Sequence, residues 1–244
     1  MLTVGSLFSG IGGLDLGLER AGLEVIWQSE IDPYGCRVLK KHWPEVVNHG
    51  NIKDINWGDV VRPDVLCGGY PCQPFSLAGR RAGEDDPRHL WPWVRNAISE
   101  LRPKYAILEN VRGHLSMGGL SVIGELAAIG YDAEWRLISA ASVGAHHRRE
   151  RLIIVAYANS SKLDNINLNR CDSQTPAKPS TIFPIGRKYC PSRPIGNWLP
   201  EPNVDRVAHG VPNRVDRLRG LGNAVVPQVA ELIGRMVLDY DSNL

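Results

Sequence analysis

The chain has 244 residues, which is enough for one domain with a sizeable core and a small appendage. Its apolar fraction of 43% is ordinary for a globular protein, and its formal net charge of +2 does not by itself indicate a polyanionic partner. No apolar run approaches the roughly 20 residues of a membrane span, and no signal-peptide pattern is evident, so we expect a soluble cytoplasmic protein. Five cysteines at spacings that match no common zinc pattern predict no metal site.

The first elements predict a ligand-binding turn between a strand and a helix. Residues 2–8 read as a strand, residues 9–13 are rich in glycine, and a helix is expected from about residue 14 to residue 21. The glycines allow a tight turn and a close approach of a ligand to the backbone. Their spacing differs from the Gly-x-Gly-x-x-Gly pattern, which disfavours a dinucleotide-dependent oxidoreductase.

A carboxylate follows the second predicted strand, residues 24–29, because Glu30 comes directly after it. A carboxylate at this position is suited to accept hydrogen bonds from ribose hydroxyls. The alternative is a solvated or helix-capping side chain. The next helix is predicted over residues 33–42, since proline suits the first turn of a helix.

An irregular loop with a central cysteine follows the short apolar strand of residues 65–67. Residues 68–76 read Gly-Gly-Tyr-Pro-Cys-Gln-Pro-Phe-Ser, and the two glycines and two prolines favour an irregular backbone. Reactive groups often lie in loops that follow a rigid strand. By itself, Cys72 is either an incidental thiol in a structural turn or a candidate nucleophile. The next segment, residues 77–88, is either a mobile surface loop or a lid over the site.

The remaining pattern alternates helices and strands as in an α/β protein. The strand that begins at Tyr105 ends in Glu109-Asn110-Val111, which brings Glu109 to the sheet edge that also carries Cys72. Residues 159–213 are rich in Asn, Ser and Pro, and so long an irregular segment either acts on a ligand or is disordered. The other predicted elements are helices 89–101 and 120–129, strands 132–140 and 152–156, a basic turn over residues 144–151, and a C-terminal helix opened by residues 222–227.

In their order and spacing these motifs resemble the cytosine-5 DNA methyltransferase family, over residues 1–157 and about 215–238. The resemblance implies a Rossmann-like, S-adenosylmethionine-dependent methyltransferase sheet with a small irregular target-recognition lobe. It implies a catalytic domain of residues 1–157 and 215–244 and a target-recognition region of residues 158–214. The motifs are Phe8-Ser9-Gly10-x-Gly12-Gly13, Glu30, Pro71-Cys72-Gln73, Glu109-Asn110-Val111, Arg149-x-Arg151 and Gly222-Asn223-Ala224-Val225.

The resemblance also implies roles for individual residues. Cys72 would be the nucleophile, and Glu109 would contact N3 of the target cytosine. Arg149 and Arg151 would organise the site and the sugar-phosphate of the target. Asn51 departs from the family pattern, which usually has an acidic residue there. The residues expected around S-adenosylmethionine are Phe8, Ser9, Gly10, Gly12, Leu14, Glu30, Ile31, Asn51, Ile52, Pro71, Asn223 and Ala224.

The expected function is transfer of a methyl group from S-adenosylmethionine to C5 of cytosine in double-stranded DNA. The alternatives are a tRNA cytosine-5 methyltransferase and a catalytically silent module that binds DNA or the cofactor. We expect a monomer that acts without a membrane, in a bacterium or a phage-infected cell. The sequence leaves open whether a restriction endonuclease accompanies it and which base removes the C5 proton.

Overall fold

A computed structural model of the protein describes residues 1–71, 90–116, 118–158, 181–183 and 214–243. The candidate nucleophile Cys72, the segment after it and most of the predicted recognition region lie outside the described residues. Within the described part, seven strands form one sheet. They are β1 (Thr3–Leu7), β2 (Glu24–Ser29), β3 (Val47–Asn48), β4 (Val65–Gly68), β5 (Tyr105–Val111), β6 (Tyr131–Ser139) and β7 (Glu150–Ala158).

The strand order places a topological switch point at β1. The order is β3-β2-β1-β4-β5-β7-β6; β1 to β5 run parallel, and β7 is antiparallel to both β5 and β6. The chain leaves β1 toward β2 on one side and later reaches β4 on the other side. Ligands of open α/β sheets bind at such a point, outside the carboxyl ends of the strands. The arrangement confirms the predicted Rossmann-like α/β fold and marks the expected site.

Two hydrophobic cores cover the two faces of the sheet. Val65 and Cys67 of β4 belong to one core, and Leu66 between them belongs to the other. Successive strand residues point to opposite faces, so a strand that is covered on both faces is apolar at every position. Residues of α1 and α6 build the first core, and residues of α3 and α4 build the second. The helices are α1 (Gly13–Ala21), α2 (Pro33–His42), α3 (Trp91–Leu101), α4 (Gly119–Ala128), α5 (Arg214–Asn223) and α6 (Pro227–Ser242).

Two segments differ from the sequence-based expectation. The basic turn before β7 is shorter than predicted, because the strand already begins at Glu150 and includes Arg151. Residues 222–227 do not open one C-terminal helix. Asn223 ends α5, and α6 begins at Pro227 after a short turn. The apolar side chains of α5 recur every three residues on one side of the helix, but they remain largely exposed: Val215, Leu218 and Leu221 are 78%, 60% and 64% exposed.

Three residues of the irregular segment are anchored to the sheet. The backbone N–H groups of Ile182 and Phe183 donate to the Glu134 carboxylate of β6 at 2.9 and 3.0 Å, and the hydroxyl of Thr181 donates to the same carboxylate. Ile182 and Phe183 are buried in the core that α6 covers. The sequence did not indicate this anchor, because three residues are too few to produce a periodic pattern.

None of the helices in the described ranges is long and apolar enough to cross a membrane.

Candidate active site

A cleft of about 640 Å³ opens at the carboxyl ends of β1, β2, β4 and β5. This volume is within the range of roughly 300–1,000 Å³ typical of small-molecule sites. Its walls come from the turn after β1, the end of β2, the start of the loop after β4, the end of β5, and α5. Eleven of the twelve residues predicted to surround the cofactor line this cleft. They are Phe8, Ser9, Gly10, Leu14, Glu30, Ile31, Asn51, Ile52, Pro71, Asn223 and Ala224.

Gly12 is the predicted cofactor residue that does not line the cleft. Its φ of +79° lies in the left-handed region, and a Cβ there would lie 2.4 Å from the indole ring of Trp43. Glycine is therefore required for the turn itself, since it tolerates positive φ and leaves room for the indole. The helix that follows starts at Gly13, and no side chain caps its first N–H groups. The positive end of the α1 dipole thus faces the cleft, which Gly13 and Leu14 line.

Glu30 holds the two sides of the cleft together. Its carboxylate accepts hydrogen bonds from the backbone N–H groups of Gly10 at 2.6 Å, Ile31 at 2.8 Å and Asp32 at 2.6 Å. A carboxylate offers about four acceptor positions, so it retains capacity for one ribose hydroxyl. Glu30 therefore organises the protein turn in addition to the ligand role that its position predicts.

The residues next to Glu30 suit an adenine ring in part. Ile31 is 67% exposed, which leaves an apolar surface against which a base can pack. The Asn51 side chain instead serves its own turn, because its Oδ1 accepts from Lys53 N at 3.2 Å and its Nδ2 donates to Asp54 at 3.0 Å. The glycine turn, the carboxylate and the apolar side chain together fit an adenosine group. The Asn51 Oδ1 accepts one hydrogen bond within its own turn and retains one acceptor position, which an adenine amino group can use.

Glu109 lies inside β5 near the floor of the cleft and is 7% exposed. Its Oε1 lies 2.7 Å from Nε of Arg151 on the neighbouring strand β7. Burial raises the pKa of Glu109 to about 6, although the charges of Arg151 and Arg149 lower it. Gly69 approaches from β4, and a Cβ there would lie 2.7 Å from Oε2 of Glu109. The site thus holds a carboxyl group that carries a proton part of the time near neutral pH.

Arg149 connects β7 to the turn between α5 and α6. Its guanidinium donates to the carbonyl oxygens of Gly222 at 2.6 Å and Ala224 at 2.8 Å. Burial and the neighbouring Arg151 lower the pKa of Arg149. The predicted grouping of Glu109 with Arg151 and Arg149 is therefore present, and Arg149 ties it to the α5–α6 turn. Cys72 lies outside the described residues, so the structure gives no distance between it and Glu109 or the two arginines.

A buried aromatic cluster fixes the start of the loop that carries Cys72. Tyr70 Oη lies 2.8 Å from Nε2 of His114, and the Tyr70 ring packs against Trp91 with 5.5 Å between centroids. The Asn110 side chain donates to the Tyr70 carbonyl at 3.1 Å. Burial lowers the pKa of His114, which favours a neutral imidazole. Because Tyr70 precedes the loop and Trp91 follows it, the cluster sets where the loop leaves and rejoins the protein.

Sequence reasoning missed this cluster and also a buried carboxyl on α1. Asp15 is fully buried, its Oδ1 accepts from Gln28 Nε2 at 3.1 Å, and its Oδ2 has no hydrogen-bond partner. Burial raises the pKa of Asp15 to about 6. Ser9, which lines the cleft, donates to Ser6 at 2.9 Å in the same polar cluster. An acidic residue one position after a predicted helix start reads as a solvated first-turn residue, so the sequence contains no signal for its burial.

The sheet order and the cleft define a Rossmann-like α/β protein with a nucleoside-sized site at the switch point. The chain belongs to the C-5 cytosine-specific DNA methylase family, whose model matches residues 2–194, well over half of its length. This result confirms the resemblance inferred from the motifs.

Named relatives agree with the family assignment. The chain is 40% identical over 165 residues to the type II methyltransferase M.Eco47II of Escherichia coli, covering 64% of this chain and 40% of that protein. It is 37% identical over 156 residues to M.NgoMIV of Neisseria gonorrhoeae, covering 62% and 50%. A mutant of DNMT2 from Spodoptera frugiperda shares the fold, with a TM-score of 0.57, 24% identity and coverage of 66% of this chain and 51% of that one. The chain therefore spans half or less of the length of these curated relatives.

Proposed function

We propose that the protein transfers a methyl group from S-adenosylmethionine to C5 of cytosine in double-stranded DNA through a covalent bond between Cys72 and C6. The observation that carries the proposal is the buried Glu109–Arg151 pair at the floor of a cleft that the glycine turn and Glu30 also line. A proton-bearing carboxyl beside a nucleoside-sized site matches what cytosine chemistry needs.

Cytosine C5 becomes nucleophilic when a thiolate adds to C6. The Cys72 thiolate forms the S–C6 bond, and the electron pair displaced from the C5–C6 double bond moves toward N3. Glu109 stabilises the negative charge that develops at N3 by donating a proton or a strong hydrogen bond to it. C5 would then take the methyl group from the sulfonium of S-adenosylmethionine, whose S–CH3 bond breaks so that S-adenosylhomocysteine leaves. Loss of the C5 proton to a base then expels the Cys72 thiolate and restores the ring.

Arg151 and Arg149 keep this machinery in place. Arg151 orients the Glu109 carboxyl from the neighbouring strand, and its positive charge limits how far burial raises the pKa of that group. Arg149 holds the α5–α6 turn, where Asn223 and Ala224 line the cofactor side of the cleft. The two arginines therefore support both halves of the proposed site.

We further propose a catalytic unit of residues 1–157 and 215–244 and a target-recognition region of residues 158–214. Arg, Lys, Asn and Gln side chains of that region would read base edges. The anchor at Glu134 supports this division, because it fixes the region to β6 at one defined place. We propose a monomer that acts on cytoplasmic DNA, with a cognate restriction endonuclease as a partner.

The test is transfer of labelled methyl from S-adenosylmethionine to duplex DNA, with tRNA and the variant Cys72→Ala in parallel. Cys36→Ala is the matched control, since Cys36 lies on α2 and does not line the cleft. We expect label on duplex cytosine that vanishes with Cys72→Ala and persists with Cys36→Ala. Label on tRNA alone would move the function to RNA, and cofactor binding without transfer to either would indicate a silent module.

A further inference from the structure

One face of α5 forms a wall of the cleft. The positions of α5 that line it are 216, 219, 220, 222 and 223, and four of them, 216, 219, 220 and 223, have a spacing that places them on one side of a helix. At Gly220 a Cβ would lie 3.0 Å from Ile11 and 3.5 Å from Tyr34, so the α5 backbone lies directly against the lip of the glycine turn. This contact places the α5 wall, including Asp216 and Arg219, beside the glycine turn and the first turn of α2.

Two charged side chains of this wall have no hydrogen-bond or ion-pair partner among the described residues. Among the described residues that line the cleft, Glu30 and Asp32 accept backbone N–H groups, and Glu109 pairs with Arg151. Asp216 and Arg219 have no hydrogen bond or ion pair with any described residue, and none joins them to each other. An opposite pair of charges without partners in the described part of the chain is suited to a ligand that carries both charges.

We propose that Arg219 binds the carboxylate and Asp216 the ammonium of the amino-acid end of the bound S-adenosyl cofactor. The inference rests on the proposed function and extends it to a part of the site that the motifs did not predict. The uncapped amino end of α1 lines the same cleft, and its partial positive charge favours a carboxylate group in the ligand. Glu30 and the apolar Ile31 lie at the β2 side of the same cleft, where the nucleoside end fits.

A DNA phosphate is the rival occupant for Arg219. A phosphate would also meet the negative charge of Asp216, which lies one helical turn away on the same face. The zwitterionic end of an amino acid satisfies both side chains, whereas a phosphate satisfies one and is repelled by the other. The charge pattern of the wall therefore favours the cofactor.

The experiment compares two nucleosides that differ only in the amino-acid part. Binding of S-adenosylhomocysteine and of 5′-methylthioadenosine, which lacks the amino-acid end, is measured by calorimetry for the wild type, Arg219→Gln, Asp216→Asn and Arg217→Gln. Arg217 is the matched control, since it is exposed on the same helix and does not line the cleft. We expect Arg219→Gln to weaken S-adenosylhomocysteine binding about tenfold, the effect of losing one charge-assisted hydrogen bond. Asp216→Asn should act in the same direction, and neither change should alter methylthioadenosine binding.

Several outcomes would overturn the inference. Equal losses for both nucleosides would mean that the substitutions only disturb α5. If Arg217→Gln weakened S-adenosylhomocysteine binding as much as Arg219→Gln, the binding role could not be assigned to the cleft-facing side of α5. Unchanged nucleoside binding together with weaker duplex DNA binding by Arg219→Gln would assign Arg219 to phosphate. A wild type that binds no S-adenosylhomocysteine would refute the proposed function itself, which the other outcomes leave standing.

Discussion

Glu109 and Arg151 form a buried ion pair, with 2.7 Å between Oε1 and Nε, across the antiparallel strands β5 and β7. Arg151 stands opposite Val111, so the pair runs diagonally across the two strands on one face of the sheet. Burial outweighs the arginine charge and leaves the pKa of Glu109 raised, at about 6. This balance decides when the carboxyl carries the proton that the proposed reaction requires.

Removal of the Glu109 proton donor should slow methyl transfer. We expect Glu109→Gln to lower the rate by about 100-fold, the lower end of what general acid catalysis contributes. In the wild type kcat/KM should fall as the pH rises through about 6, since the protonated carboxyl is the active form. In the variant, kcat/KM should not show this fall with pH. The measurement is labelled methyl transfer between about pH 5 and about pH 9, with S-adenosylhomocysteine binding as the control for an intact cleft. A variant as fast as the wild type would exclude Glu109 from the reaction.

Loss of Arg151 should destabilise the protein in a pH-dependent way. Without the arginine charge the pKa of Glu109 rises further above its unfolded value. Stability is then retained below the unfolded pKa and is lost as the pH rises through the folded pKa. We expect Arg151→Gln to lower the free energy of unfolding by about 3 kcal/mol at pH 8 and by clearly less at pH 5, as measured by denaturant titration.

The exposed Arg112–Glu150 pair supplies the control for that experiment. Its atoms lie 2.8 Å apart, but the side chains are 68% and 40% exposed. We expect Arg112→Gln to change the free energy of unfolding by less than about 1 kcal/mol at both pH values. Equal effects of the two substitutions would contradict the importance of burial for the Glu109 pair.

The Tyr70–His114 contact should contribute measurably to stability at the base of the loop. In Tyr70→Phe both ring nitrogens of His114 are buried without a partner among the described residues, since Nδ1 already has none. We expect a loss of about 1–3 kcal/mol in the free energy of unfolding. Adding His114→Phe removes the unsatisfied polar group, so the double variant should lose less than the sum of the two single variants. Strict additivity in this cycle would show that the two side chains do not interact.

Substitution of Gly12 and of Gly50 should distinguish the cost of a steric clash from the cost of a left-handed backbone. Gly12 and Gly50 have similar positive φ values, +79° and +74°, but a Cβ at Gly50 would meet no atom within 4 Å, whereas one at Gly12 would overlap Trp43. Gly50→Ala should cost about 1–2 kcal/mol for the left-handed conformation alone. Gly12→Ala should cost about 1–3 kcal/mol more because the indole must move. The stability of both variants is measured by thermal unfolding. Equal losses of stability would contradict the importance of the Trp43 contact.

The buried Asp15 carboxyl should give the protein a specific pH dependence. Its pKa is raised from 3.8 to about 6, so its contribution to stability is complete below pH 3.8 and is lost as the pH rises through about 6. The loss should approach about 3 kcal/mol at pH 8, since each pKa unit corresponds to about 1.4 kcal/mol. Asp15→Asn cannot ionise, so its stability relative to the wild type should increase from pH 4 to pH 8 in denaturant titrations. A constant difference over that range would mean that Asp15 does not titrate in it.

Six of the seven strands in the described sheet, most helices and several site positions were predictable from the sequence, whereas the two-residue strand β3 was not. Periodicity and glycine content are local properties, and they located β1, β2, β4 and the first two helices to within about two residues. The same local chemistry put Glu30 after a strand and Glu109 at the end of another, where both line the cleft. The roles assigned to these residues stay predictions, and Cys72 lies outside the described residues.

Only the tertiary structure decided which distant groups meet. The Glu109–Arg151 pair depends on β5 and β7 being neighbours, and the Tyr70–His114 contact joins residues 44 positions apart. The wall formed by α5 depends on Gly220 reaching Ile11 at the start of the chain. Local sequence patterns set the conformation of each segment because they act through the backbone and its nearest side chains. Burial, pairing and the resulting pKa values depend on packing between segments, and a linear pattern contains no distances between them.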